Sequence, residues 1–126
     1  MPAHVIENDR MPTPLGPYSH AVAAHGELVF ISGQAGMDSL TGEVPADFEQ
    51  QARNAFENLS RVVEAAGLGM ADVVKTTVYL ADASQFGTLN ALFGEFFPVS
   101  PPTRATPIVQ LPKGLLISIE AIAVRN

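Results

Sequence analysis

The chain has 126 residues, 47% hydrophobic and only 16% charged, with thirteen acidic against seven basic side chains and a net charge of −6. That describes one domain, 1–126, long enough to bury a single core, and the scarcity of Lys and Arg argues against nucleic acid as a partner. Cysteine is absent, which removes disulfides, thiolate nucleophiles and Cys-based zinc sites together. No apolar run approaches membrane-spanning length, and the start carries no targeting pattern, so a soluble cytoplasmic domain is expected. Its apolar balance predicts that some surface is covered by other subunits.

The first clear strand is LVFISGQ (28–34), whose run of Val29, Phe30 and Ile31 suits burial on both faces. SHAVAAHGE (19–27) before it predicts an antiparallel partner turning at His25-Gly26. After a loop rich in Gly, Pro and Asp (37–48), Asp47 is the expected N-cap of a helix, with Gln50 placed to complete a capping box. Phe48, Ala52, Ala55, Leu59, Val62 and Ala66 recur at helical spacing, Gln51, Asn54, Asn58 and Arg61 line another face, and Gly67 stops the helix. VVKTTVYL (73–80) reads as a strand. A second helix spans about 82–97, with Phe86, Leu89, Phe93 and Phe96 as its stripe and Pro98, Pro101 and Pro102 at its end. RATPIVQ (104–110) and LLISIEAIAV (115–124) predict two more strands, joined through a turn at 111–114. The order ββαβαββ, with both helices as crossovers, predicts a two-layer α/β (α+β) domain: two helices on one face of a mixed sheet, the other face left for an oligomeric partner.

Motifs of the usual catalytic kinds are missing: no phosphate-cradling Gly-rich loop, HExxH or GxSxG. His4, His20 and His25 lack metal-ligand spacing and cysteine is absent, so no metal site is expected. Glu120 is more informative. Ile117, Ile119, Ala121 and Ala123 share one face of its strand, and Leu116, Ser118, Glu120 and Ile122 the other. A carboxylate there either reaches solvent or an ion pair, or serves as a general base or water-positioning group. Asn90 interrupts the apolar stripe of the second helix and needs a specific partner, either a neighbouring loop or a ligand. Tyr18, after the rigid Gly16-Pro17, is either a structural phenol or one held in a cleft. Ser32 and Gly33 end the buried strand where a ligand can approach the backbone. Arg104, in PPTRATP, is either a solubilising charge or a fork for a carboxylate whose loop freedom the prolines reduce.

In order and at these spacings, GPYS (16–19), ISGQ (31–34), TGEVPAD (41–47), the AR-x-A-F-x-N-L pattern (52–59), EAAGL (64–68), DVVKTTVYL (72–80), the F-x-x-x-N of the second helix, the Arg104 loop and IEAIAVR (119–125) resemble the Rid family, the reactive intermediate deaminases also called YjgF or L-PSP proteins. The resemblance covers nearly the whole chain. It implies a chorismate-mutase-like subunit and a homotrimer with three clefts between adjacent subunits. It also implies cofactor-independent hydrolysis of 2-enamines and 2-imines, such as 2-iminobutanoate, 2-iminopropanoate and 2-aminoacrylate, to 2-keto acid and ammonia. By the same resemblance Arg104 pairs with the substrate carboxylate, Glu120 activates water, Tyr18, Ser32, Gly33 and Asn90 line the cleft, and the backbone at Thr106 helps hold ligand or water. His20, Thr103, Thr106 and Ser118 depart from the usual residues, and the first and third of these bear on the preferred side chain. A deaminase of a larger substrate such as 2-aminomuconate, and a metabolite-binding trimer without turnover, are the competing expectations.

Overall fold

The computed structural model describes residues 3–126. In chain order it contains β1 (Ala3–Ile6), β2 (Ala21–Ala24), β3 (Glu27–Ala35), α1 (Phe48–Ala65), β4 (Val73–Leu80), α2 (Phe86–Phe96), β5 (Thr103–Ala105) and β6 (Ile117–Arg125). A four-stranded mixed sheet has the order β3-β6-β4-β5, with β6 antiparallel to both its neighbours and β5 parallel to β4. The two-helix, mixed-sheet α+β architecture is the one the sequence predicts.

The alternation in β6 decides which face becomes core. Ile117, Ile119, Ala121 and Ala123 are buried, while Ser118, Glu120 and Ile122 between them are half-buried. The buried set meets Ala52, Ala55, Phe56, Leu59 and Val63 of α1 and Leu89, Leu92 and Phe93 of α2. On the other face Leu28 and Phe30 remain 50% and 72% exposed. A sheet face carrying large apolar side chains in the open is what another subunit would cover.

Several local expectations change. The 19–27 segment does form a strand, but β2 pairs with β1, a strand absent from the expected order, and not with β3. Ser19 bridges Thr103 at the β5 edge, and its N–H and Oγ donate to the carbonyls of Pro102 and Pro101 at 3.1 and 2.5 Å. The start of β2 is thus fixed at the sheet edge opposite β3. Gly26, at φ +131°, then turns the chain against the Arg125 backbone at the end of β6, where β3 begins. Only glycine tolerates that angle without strain.

The capping box is half formed. Gln50 N donates to Asp47 Oδ2 at 3.0 Å, but the Gln50 amide turns outward to Asn54. Gln51, expected on the solvent face of α1, is fully buried, whereas Val62 is 37% exposed. The second helix begins late: Asp82 accepts from Ser84 N at 2.9 Å to cap a short 3₁₀ turn, and α2 starts at Phe86. Finally, β5 is only three residues long, because Pro107 has no N–H to continue a ladder. The turn at 112–115 forms, with Leu115 N on Pro112 O at 3.0 Å, but β4 lies between β5 and β6, so the connection is a crossover.

Candidate active site

Arg104 is placed by strand register. It lies opposite Thr76 of β4, and Thr76 lies opposite Ala121, a core residue, so Arg104 belongs to the helix side of the sheet. There its guanidinium carbon stands 4.9, 5.0 and 5.2 Å from the ring centroids of Tyr18, Phe93 and Phe86. Aromatic faces attract a cation but accept little hydrogen bonding. Nε donates to Thr106 Oγ1 at 2.9 Å, which fixes the plane of the fork. Both terminal nitrogens are buried and have no hydrogen-bond partner among the described residues. Burial pushes the guanidinium pKa down, opposed in part by Tyr18, so the cation is held at a cost to the fold.

Tyr18 and Asn90 frame the same spot. Tyr18 N–H donates to Gly16 O at 2.9 Å in a tight turn, and its hydroxyl accepts from Leu15 N at 3.1 Å. Asn90 Nδ2 donates to Leu15 O at 3.2 Å, a contact with a neighbouring loop, which is one of the two alternatives the sequence leaves open. Asn90 Oδ1, however, is buried and unpartnered among the described residues. Gly16 sits between the two unsatisfied groups: a Cβ there would collide with Asn90 Oδ1 and approach Arg104 Nη2 to 3.0 Å. His20, beside Tyr18 with ring centroids 6.1 Å apart, is held at 2.6 Å by Pro12 O. A carbonyl only accepts, so His20 Nε2 carries the proton.

Glu120 lies across the sheet. Its register partner is Thr77, on the face away from the helices. Between Ile31 and Gln34 the β3–β6 ladder gains an extra residue, a bulge at Ser32-Gly33 beside Glu120. A Cβ on Gly33 would stand 2.5 Å from Ser118 Oγ, so any larger residue there would have to push the Ser118 hydroxyl aside. Ser32, Glu120, Lys75, Phe30 and Ile122 line a depression of about 290 Å³. Tyr79, which local sequence marks only as a strand residue, donates its hydroxyl to Glu120 Oε1 at 2.7 Å. That bond, with partial burial, raises the Tyr79 pKa and keeps the phenol a donor.

The predicted residues therefore form two constellations. Tyr18, Asn90, Arg104 and Thr106 come together on the helix side; Ser32, Gly33 and Glu120 come together on the open face. Within one chain the sheet separates them. Among the described residues no group of three His, Cys, Asp or Glu could hold a metal ion, and no helix is long and apolar enough to cross a membrane.

The sequence profile of the endoribonuclease L-PSP family matches residues 8–125. The chain belongs to this family, the Rid or YjgF proteins. Among its relatives, a RutC family protein of Pyrococcus horikoshii is 45% identical over 97% of this chain and 98% of its own. The 2-iminobutanoate/2-iminopropanoate deaminase of Escherichia coli is 42% identical, covering 96% and 97% of the two chains. The crystal structure of Escherichia coli TdcF with bound serine superimposes with a TM-score of 0.76 at 42% identity, over 98% of this Rid chain and 99% of that one.

Proposed function

We propose that this Rid protein is a deaminase of small 2-imines and 2-enamines, of the 2-iminopropanoate and 2-iminobutanoate class. It works as a homotrimer whose site joins the Arg104 constellation of one subunit to the Glu120 constellation of another. The observation that carries this reading is the Arg104 fork: a buried guanidinium, fixed at Nε, with both terminal nitrogens unpartnered among the described residues. Such a fork matches a carboxylate with two parallel hydrogen bonds. The named deaminase relative and the serine-bound neighbour, a carboxylate ligand, agree with it. The exposed apolar side of the sheet supports the oligomer.

The chemistry asks little beyond orientation. Arg104 holds the carboxylate and so fixes the adjacent C=N carbon, with Asn90 Oδ1 beside the fork as an acceptor for a polar hydrogen. A protonated imine is already electrophilic. Water adds to that carbon while Glu120 takes its proton, giving a carbinolamine. Glu120 returns the proton to nitrogen; the C–N bond then breaks, the hydroxyl passes its proton back to the Glu120 carboxylate as it becomes the keto oxygen, and ammonia leaves. A positioned general base contributes about 10²–10⁴-fold, adequate for an intermediate that also hydrolyses unaided. A net charge of −6 opposes the RNA-cleaving activity suggested by the family's description.

The test generates 2-iminopropanoate with an amino-acid oxidase and traps survivors with semicarbazide. Wild type is expected to lower the trapped product, and Arg104→Ala and Glu120→Ala to do so far less. Equal trapping with and without wild-type protein sinks the reading in favour of a non-catalytic binder. Light scattering checks the trimer; a monomer that retains activity removes the intersubunit assignment.

A further inference from the structure

We infer that Tyr79 is a positioning residue for Glu120: its hydroxyl anchors Oε1 so that Oε2 is the oxygen presented to the attacking water. This rests on the deaminase reading and adds to it a residue that the fork and base do not include. Glu120 sits on an open sheet face, and a glutamate there has three rotatable bonds to order before it can meet a water in one place. Tyr79 stands opposite Ser118 on the neighbouring strand, two residues along from Thr77, the register partner of Glu120. That makes it the diagonal cross-strand neighbour on the same face, a separation an aromatic side chain can span. The 2.7 Å contact is made by a rigid phenol with two side-chain torsions.

Among the described residues no other donor bonds the carboxylate. Lys75, on the same face, gives its ammonium to Thr77 Oγ1 at 3.3 Å, and among the described residues Tyr79 is the sole side chain that bonds Glu120. The raised pKa of Tyr79 is consistent, since its proton stays on the phenol through the neutral range. If the residue served packing alone, phenylalanine would do the same work.

The experiment compares steady-state kcat and KM for wild type, Tyr79→Phe, Glu120→Gln and the double variant. Loss of one hydrogen bond to a charged group, acting on orientation, is expected to lower kcat about tenfold in Tyr79→Phe. KM stays within about twofold, because the Arg104 fork governs carboxylate binding. In the Glu120→Gln background the same change is expected to cost nothing further. Wild-type kcat in Tyr79→Phe, a parallel rise in KM, or an undiminished loss in the double variant overturns the assignment while leaving the deaminase reading intact. An inactive wild type removes both.

Discussion

Gln51 and Arg104 are both polar side chains held in a largely apolar interior, and they are treated in opposite ways. Gln51 is fully buried, yet its amide is used at both ends: Nε2 donates to Pro45 O at 2.9 Å and Gly114 O at 3.4 Å, while Oε1 accepts from Leu116 N at 2.6 Å. It ties α1 to the loop before it and to the start of β6, and nothing is left over. Arg104 has one satisfied nitrogen and two that are buried without partners among the described residues, beside an equally unpartnered Asn90 Oδ1. A closed hydrogen-bond account marks scaffold. An open one, among described side chains whose other buried polar atoms are paired, is what the proposed carboxylate ligand would complete.

Arg104→Met is expected to break this contrast most. Removing the charged partner of a bound carboxylate costs about 2–5 kcal/mol, so kcat/KM should fall by roughly 30- to 5,000-fold. The unliganded protein should melt no lower than wild type, because an uncompensated buried cation is replaced by a side chain that suits its aromatic surroundings. Steady-state kinetics and calorimetry on the same preparation check both halves. A variant that loses stability along with activity would make Arg104 scaffold after all.

Gln51→Leu should do the reverse. With Pro45 O, Gly114 O and Leu116 N left unpaired in the interior, stability should fall by about 2–3 kcal/mol in urea unfolding. Activity per folded molecule should stay at the wild-type level. Gly16→Ala lies between the two: its methyl group displaces Asn90 Oδ1 against the fork. KM should rise about tenfold through misplaced carboxylate recognition, with stability changed by no more than about 1 kcal/mol. An unchanged KM would show that Asn90 Oδ1 and Arg104 do not act on the same ligand.

The same contrast explains what the sequence could and could not disclose. The face of β6 is legible because Ile117, Ile119, Ala121 and Ala123 alternate with a set that carries Ser118 and Glu120, and α1 is legible because its cap, stripe and Gly67 stop agree. Gln51 is not, since an amphipathic pattern assigns any amide to the wet face, and only the arrival of Leu116 and Pro45 brings it partners. β1 is only four residues, separated from β2 by a long loop, and its pairing with β2 depends on where Ser19 is pinned, across 82 residues from Pro101. Arg104 and Glu120 each stand out from local chemistry. Their separation by the sheet does not, because it follows from two registers, Arg104 with Thr76 and Glu120 with Thr77. Tyr79 was hidden for the same reason: its partner is a diagonal one.

The smallest expected effect concerns polar groups satisfied at the surface, the third case beside Gln51 and Arg104. Asp38 accepts from Thr41 N at 3.0 Å and Leu40 N at 2.8 Å, and Asp82 from Ser84 N at 2.9 Å; these bonds hold both carboxyls below the ordinary aspartate value. A depressed folded pKa means that the unfolded chain binds more protons in the acid range. The stabilisation is therefore complete above the unfolded value, about 3.9, and is lost as pH falls through the folded one. Asp38→Asn and Asp82→Asn keep an acceptor oxygen but remove the titration. The Tm gap between wild type and these variants should open above about pH 4 and close below it, and salt should narrow it because both groups are exposed. A gap that stays constant from neutral to acid pH would mean that hydrogen-bond geometry, and not charge, carries the contribution. Neither variant should change kcat or KM at neutral pH, since these loops lie outside both constellations.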